Sequence, residues 1–290
     1  MRATERAVES LTLTKLVHVN QVVDNFDAAR AFYASVFGAR EYWSGYDDAE
    51  RRDASLFVVG DLCIELFAPR DAGSLLGASL QRFGNSWHSL EWQVPDLDQA
   101  YRVLTARGVR IPTYRPDQFL MTHPADCHGL LIELTPLEMT GDPRIEPDWT
   151  AAPWRDGHPL GVTGLHSLSV AVRDVAAAAA WLADLVGAQP LYRDPRPAID
   201  ADAVGIPVAG SVVELVQARS TVGPVAGYVQ RYGQRLRSIE IGVLDIGRAT
   251  EHLVGHGLRV VPGSRPDTVA VAEQDNWGVR WEFAAAPPAG

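Results

Sequence analysis

Four glutamates of the 290-residue sequence stand inside short apolar segments that have the composition of buried strands. They are Glu65 in CIELFAP, Glu133 in HGLLIELTP, Glu214 in SVVELVQA and Glu282 in VRWEFAA. A carboxylate in an apolar interior is strongly destabilising unless a cation pairs with it or a metal ion coordinates it. These positions therefore predict either buried ion pairs or metal ligands.

The spacing of the four glutamates indicates an internal repeat. Within each half of the chain the second glutamate follows the first by 68 residues, and the whole pair recurs 149 residues later. Gly38, which ends a predicted helix, recurs at the same interval as Gly187. A fixed period of this kind is the signature of repeated structural units. The chain is therefore predicted to have two similar halves, each made of two similar modules.

Each module has the pattern of one strand, one helix and three further strands. In the first module, alternation of apolar and polar residues predicts strands near 15–23, 40–46, 53–59 and 61–67. The helix is predicted near 26–37, where it ends at a glycine, as helices often do. The glutamate of each module falls in its last strand.

The domain boundaries follow from the repeat and from a change in composition. Residues 138–161 are rich in Pro, Asp and Trp and lack a clear period, so we interpret them as a linker. The first pair of modules then occupies residues 1–137 and carries the candidate metal and substrate site. The second pair occupies residues 162–290 and is expected to be free of metal.

A βαβββ module used in pairs, with a glutamate in its last strand, resembles the vicinal oxygen chelate superfamily. This superfamily includes glyoxalase I, methylmalonyl-CoA epimerase, extradiol dioxygenases, and the bleomycin- and fosfomycin-resistance proteins. The resemblance covers residues 15–285. It implies an α+β fold in which four βαβββ modules pair into two open eight-stranded barrels. It also implies a metal site inside a barrel, with ligands from the first and last strands of each module.

Strand alternation predicts which side chains face the barrel interiors. Alignment of the four first strands places His18, Ser89, Ser167 and Ser238 in one interior position, where the superfamily carries a metal ligand. Only His18 is of a ligand type. Ser167 and Ser238 stand where a two-domain extradiol dioxygenase would need histidines, which argues against that activity.

The resemblance implies a metal set of His18, Glu65 and Glu133 in the first half, with His88 or water as a fourth ligand. One imidazole with carboxylates suits a divalent ion such as Mn, Fe, Co, Ni or Zn. His88 precedes the interior position by one residue, so it reaches the cavity only if the strand is bulged. The alternative is a barrel that binds its ligand without metal.

The candidate catalytic residue is Glu91, two positions beyond Ser89 and on the same face of the strand. Such an interior carboxylate could move a proton, or it could serve only as a hydrogen-bond partner within the sheet. In the second half, Arg280 shares a strand face with Glu282 and is expected to neutralise it.

The segment FLMTHPADCHGLLIEL (119–134) resembles a segment of methylmalonyl-CoA epimerases in His123-Pro124, Gly129, Leu131 and Glu133-Leu134. These features favour a glyoxalase-type metal-dependent isomerase, epimerase or lyase that acts on a small oxygenated substrate. The alternative is a non-catalytic protein that binds or sequesters a small molecule.

Composition excludes several other classes of protein. The formal net charge of −10 argues against nucleic acid and anionic membranes as partners. No apolar run is long enough to span a bilayer, and the N-terminal segment lacks the apolar core of a secretion signal. Only Cys63 and Cys127 occur, which suits a reducing cytoplasm. A cytoplasmic protein with a small-molecule ligand is expected, and its oligomeric state stays open.

Overall fold

The computed structural model describes residues 9–285 and contains two mixed sheets of eight strands. The ends of the predicted domains, residues 1–8 and 286–290, lie outside the described residues. We call the two curled sheets the first barrel and the second barrel; both are open, because their outermost strands do not pair. The predicted α+β fold of four βαβββ modules in two open eight-stranded barrels is confirmed.

The strands of the first barrel are β1 (Lys15–Val22), β2 (Arg40–Asp47), β3 (Arg52–Val59), β4 (Leu62–Pro69), β5 (Ser86–Gln93), β6 (Thr113–Arg115), β7 (Phe119–Met121) and β8 (Ile132–Thr135). The strands of the second barrel are β9 (Val162–Ala171), β10 (Tyr192–Arg196), β11 (Ala201–Val208), β12 (Ser211–Ala218), β13 (Arg235–Val243), β14 (Val260–Pro262), β15 (Thr268–Val271) and β16 (Arg280–Ala285). The helices are α1 (Phe26–Phe37), α2 (Leu75–Phe83), α3 (Leu97–Ala106), α4 (Val175–Val186), α5 (Pro224–Tyr232) and α6 (Ile246–Gly255).

Strand order explains why the interior glutamates of one barrel meet. The first barrel runs β2-β3-β4-β1-β5-β8-β7-β6, and the second barrel repeats this order from β10 to β14. The first strands of paired modules, β1 and β5, are antiparallel neighbours at the centre, and each pairs in parallel with the last strand of its own module. The register sets Asn20 beside Glu65, and Glu91 beside both His18 and Glu133.

Local sequence sets the bounds of the module helices. Helix α1 begins where the side chain of Asn25 accepts a hydrogen bond from the Ala28 N–H, 3.2 Å away. It ends at Gly38, which has φ +61°, a left-handed conformation that favours glycine. Asp174 and Gly187 perform the same two roles for α4, so the repeat holds at the level of single capping residues.

Helices α2 and α5, which connect paired modules, are not predicted by the sequence analysis. Leu76 of α2 packs with Val22, Ala54 and Phe67. Val22 alternates with His18 and Asn20, so α2 covers one end of the interior face of the first barrel. Helix α5 covers the second barrel in the same way through Val225.

Residues 138–161, predicted as a linker, fold against the first barrel. Trp154 is buried, and its indole N–H donates a hydrogen bond to the Gly38 carbonyl oxygen, 2.9 Å away. Arg144 pairs with the buried Asp142 and donates to the Val17 carbonyl oxygen at 2.6 Å. The segment therefore contributes to the core, and the boundaries at 137 and 162 stay a prediction.

The two barrels share one hydrophobic core. Trp281 of the second barrel packs against Phe37 of α1, with ring centroids 4.9 Å apart, and against Trp87 of β5 at 5.5 Å. Among residues 9–285 no helix is long and apolar enough to cross a membrane.

Two equivalent glycine contacts hold the barrels together. A Cβ atom at Gly129 would overlap the backbone of Gln234, and one at Gly278 would overlap the backbone of Asn85. These contacts are related by the 149-residue repeat, so the interface has an approximate two-fold axis. Both glycines also have positive φ, +93° and +71°, so a side chain at either position would be strained as well as crowded.

Candidate functional site

Two carboxylates contact one imidazole on the interior face of the first barrel. His18 Nε2 forms a short ion pair with Glu91 Oε2 and lies 3.5 Å from Glu65 Oε2. The imidazole comes from β1, and the carboxylates of Glu91 and Glu65 come from β5 and β4. The exposed fractions of His18, Glu91 and Glu65 are 3%, 3% and 8%. The alternation of side chains along each strand places all three on the interior face. The strand order makes β4, β1 and β5 neighbours, so the three side chains meet.

Glu133 joins the cluster from β8 through Asn20. The Asn20 amide group donates hydrogen bonds to Glu133 Oε2 at 3.2 Å and to Ser89 Oγ at 2.7 Å. Glu133 is only partly buried, whereas Asn20 is fully buried. We call His18, Glu65, Glu91 and Glu133 the carboxylate cluster.

Burial and charge shift the proton affinities within the carboxylate cluster. Burial alone would lower the pKa of His18, but Glu91, Glu65 and Glu133 outweigh it and raise this pKa to about 9. Burial raises the pKa of Glu65, and burial together with Glu91 raises that of Glu133 well above its usual range. The cluster therefore holds protons firmly, because it concentrates negative charge away from water.

Arg52 supplies the arginine contact that we observe at this cluster. Its Nη1 lies 3.2 Å from Glu65 Oε1, while its Nε pairs with Glu50 at 2.7 Å. Its guanidinium also lies over the Phe67 ring, 3.6 Å from the centroid. Arg52 is on β3, and no motif or spacing in the sequence connects it with Glu65, so the sequence analysis did not find it.

His88 lies at a bulge of β5. Val19 pairs with Leu90 and Gln21 pairs with Trp87, so the single residue Asn20 stands opposite both His88 and Ser89. The His88 ring lies 6.0 Å from the ring of Phe67, which belongs to the interior face, and its Nδ1 is 3.0 Å from Ser89 Oγ. Burial, with Arg235 and Arg52 nearby, lowers the pKa of His88 to about 3.

His88 thus reaches the interior side and is neutral, as a metal ligand must be. Its observed contacts are to Ser89 and Phe67, and within residues 9–285 we find no ion pair or hydrogen bond from His88 to the carboxylate cluster.

The donor set of the cluster fits a divalent cation chemically. One imidazole and three carboxylates are the ligands that such ions take. In the part of the chain that the structure describes, His18 Nδ1 and Asn20 Oδ1 are buried without hydrogen-bond partners. The present side-chain positions are not a formed site, because no three His, Cys, Asp or Glu side chains in the described chain converge on one metal position. Instead, His18, whose pKa the carboxylates raise, supplies the compensating positive charge when it is protonated.

The second barrel neutralises its interior carboxylates with arginines instead. Arg196 forms a short pair with Glu214, and Arg265 does so with Glu240. Arg280 Nε lies 2.8 Å from Glu282 Oε1, as its place on the strand predicts.

Burial opposes the ionisation of Glu282, but Arg280 and Arg237 outweigh it and lower the pKa of Glu282 to about 2. Ser167 is the counterpart of His18, and the imidazole near these glutamates is that of His166, whose Nδ1 lies 3.5 Å from Glu240 Oε1. Each interior carboxylate of the second barrel therefore already has a permanent cation.

A surface cleft of about 470 Å³ lies away from both interiors. It is lined by the segment after the first barrel, including Trp149 and Trp154, together with Arg40 and His158. The chemistry of the carboxylate cluster is therefore not associated with this cleft.

Comparison with known families agrees with this architecture. Profiles of the glyoxalase/bleomycin resistance protein/dioxygenase superfamily match residues 17–121 and again residues 164–283. The chain belongs to this superfamily, and the resemblance to the vicinal oxygen chelate group is confirmed.

Individual relatives fall into two groups. Bovine mitochondrial methylmalonyl-CoA epimerase is 30% identical over 132 residues, which cover 42% of this chain and 74% of that protein. A mutant of 4-hydroxymandelate synthase from Streptomyces coelicolor matches 96% of this chain and 95% of its own, with a TM-score of 0.73 at 13% identity, a likeness of fold. The methylmalonyl-CoA epimerase of Streptomyces coelicolor matches 42% of this chain and 96% of its own, with a TM-score of 0.41 at 23% identity.

Proposed function

We propose that this protein is a metal-dependent enzyme of the glyoxalase type, an isomerase, epimerase or lyase whose active site is the first barrel. The observation that carries the proposal is the carboxylate cluster. Two buried carboxylates and the partly buried Glu133 there share one imidazole and one arginine, whereas each carboxylate of the second barrel has its own arginine. An excess of buried negative charge is what a divalent cation would compensate.

The residues that would hold the ion are His18, Glu65 and Glu133, with His88 as a fourth ligand. A bound divalent ion would supply Lewis acidity to a substrate oxygen and make a neighbouring C–H bond acidic. To coordinate it, His18 would have to release the proton that it now shares with Glu91. Side-chain rotations of Glu65 and Glu133 would be needed as well, since the ligands do not yet converge.

Glu91 is proposed as the group that moves the substrate proton. Its Oε2 is the atom that now binds His18 Nε2, so loss of that proton leaves Glu91 as a free buried carboxylate. An interior carboxylate in this position could accept a proton from the acidified C–H bond of a substrate.

The similarity to bovine methylmalonyl-CoA epimerase makes acyl-CoA esters with an acidic C–H bond the first substrates to test. Methylmalonyl-CoA in ²H₂O, with cobalt-loaded protein, should lose its C2 proton signal in the NMR spectrum. Glu91→Gln should reduce the exchange rate at least about a hundredfold. Glu240→Gln, the same change at the equivalent position of the second barrel, is the matched control and should leave the rate unchanged.

Equal rates for wild type and Glu91→Gln would contradict the role of Glu91. Absence of exchange across a panel of acyl-CoA esters, glyoxylate adducts and 2-oxoacids, with metal bound, would contradict the enzyme proposal.

A second candidate is a non-catalytic protein that binds a small molecule. The observation in its favour is the short His18–Glu91 ion pair, which partly satisfies the cluster without metal. This candidate predicts saturable ligand binding that is unaffected by a chelator, and no substrate turnover.

A further inference from the structure

Arginines outnumber carboxylates by one at the interior glutamates of the second barrel. Its three glutamates contact four arginines, namely Arg196, Arg237, Arg265 and Arg280. Three of these arginines form close pairs, one with each glutamate. Arg237 is the fourth, and its Nη1 lies 3.5 Å from Glu282 Oε1, an oxygen that already accepts a hydrogen bond from Arg280 at 2.8 Å.

Arg237 is buried without a counter-ion of its own. Its side chain is 3% exposed, and its Nε has no hydrogen-bond partner among residues 9–285. Burial and the neighbouring Arg280 lower the pKa of Arg237, although Glu282 and Glu273 attract its charge. A buried guanidinium in this condition is destabilising, because the desolvation of its charge is not repaid by a close pair.

Arg237 lies at the second-barrel counterpart of the His88 bulge. Leu236 pairs with Val170 and Ser238 pairs with Ser169, so Arg237 is the extra residue of β13. The bulge directs it towards Glu282, on the interior face. Within residues 9–285, the buried Nε of Arg196 also lacks a hydrogen-bond partner.

We propose that the second barrel binds a small oxyanion, a carboxylate or a phosphate group, through Arg237. A planar guanidinium can donate two parallel hydrogen bonds to either group, and an oxyanion would neutralise the surplus cation. The site lies in the barrel that the metal proposal does not use. A test of this site is therefore independent of the proposed enzyme activity.

Thermal unfolding of the full chain in excess chelator tests this site. Wild type is titrated with sodium phosphate, sodium sulfate, sodium acetate or disodium succinate, each against sodium chloride at the same ionic strength. Binding to the folded state should raise the melting temperature in proportion to the logarithm of the anion concentration. Because phosphate and sulfate also stabilise proteins without binding to a site, the response counted is the part that Arg237→Met lacks. Such a response to phosphate and sulfate identifies a phosphate site, and one to acetate and succinate identifies a carboxylate site.

Arg237→Met should abolish the response to the anion. Without anion it should melt at the same temperature as wild type or higher, because a surplus buried cation has been removed. Arg259→Gln, which removes an exposed arginine paired with Asp275, is the control and should keep the full response. Arg237→Lys keeps the charge but loses the fork, and should weaken binding at least about tenfold.

The proposal is overturned if none of the four anions raises the melting temperature above the chloride control. It is also overturned if Arg237→Met keeps the wild-type response. If Arg237→Met does not fold, an undiminished response in Arg237→Lys overturns it equally.

Discussion

Loss of the proton from His18 should make the metal-free protein less stable as the pH rises. In the folded chain the pKa of His18 is about 9, against an ordinary value of 6.5 in the unfolded chain. Below pH 6.5 both states carry the proton, and the ion pair with Glu91 contributes fully. Between pH 6.5 and 9 only the folded state keeps it, so the contribution falls steadily, and above pH 9 it is lost.

The magnitude follows from the two pKa values. A difference of about 2.5 in pKa corresponds to roughly 3 kcal/mol of unfolding free energy. His18 is only 3% exposed, so solvent screens the interaction little. The raised pKa values of Glu65 and Glu133 act in the same direction, because the folded state also loses stability as these carboxyls ionise.

Urea unfolding in the presence of a chelator, at pH 6, 7.5 and 9.5, measures this loss. The unfolding free energy of wild type should fall by about 3 kcal/mol over the series. His18→Gln keeps the shape of the site without the titrating group. Between pH 7.5 and 9.5 its unfolding free energy should fall much less than that of wild type. A wild-type free energy that is constant over this range, or that rises with pH, would refute the charge assignment of the cluster.

Three further predictions concern the metal and the arginines. Glu133→Gln should lower metal affinity at least about tenfold and leave the metal-free melting temperature level or higher, since the observed contact of Glu133 is to Asn20 and not to a cation; a large metal-independent loss of stability would contradict this. Elemental analysis should find at most about one divalent ion per chain, and a second ion that is lost on changing Glu282 would show that the second barrel also binds metal. Arg196→Met should destabilise the protein by roughly 3–5 kcal/mol in urea unfolding, because Glu214 is left buried without its ion pair. A neutral result would mean that the hydrogen bond from the Tyr192 hydroxyl to Glu214 Oε2 is enough to stabilise the carboxylate.

The strands and first helices of the modules could be predicted from the sequence, because the pattern of one module occurs four times along the chain. The first helix was predicted near 26–37 and is Phe26–Phe37 in the structure. Helices α2 and α5 were not predicted, because each has only nine residues. Their apolar side chains are buried only by packing against the end of a curled sheet, which the sequence alone does not reveal.

The site could be predicted as far as strand alternation extends. It places His18 and Glu91 on one face and Arg280 beside Glu282. Alternation fails at a bulge, where one extra residue changes the facing of its neighbours, so the direction of His88 could not be read from the sequence. Partners from other strands, such as Arg52, depend on three-dimensional pairing that no spacing rule describes.

The glycine contacts between the barrels have a consequence for how the chain responds to its ligands. Gly129 lies against Gln234 and Gly278 against Asn85, with no side chain between the backbones that could yield. The barrels should therefore unfold together in one transition, to which every ligand contributes its own free energy of binding. A ligand held in either barrel then protects the whole chain from unfolding, and a mutation that weakens one barrel can be rescued by a ligand of the other.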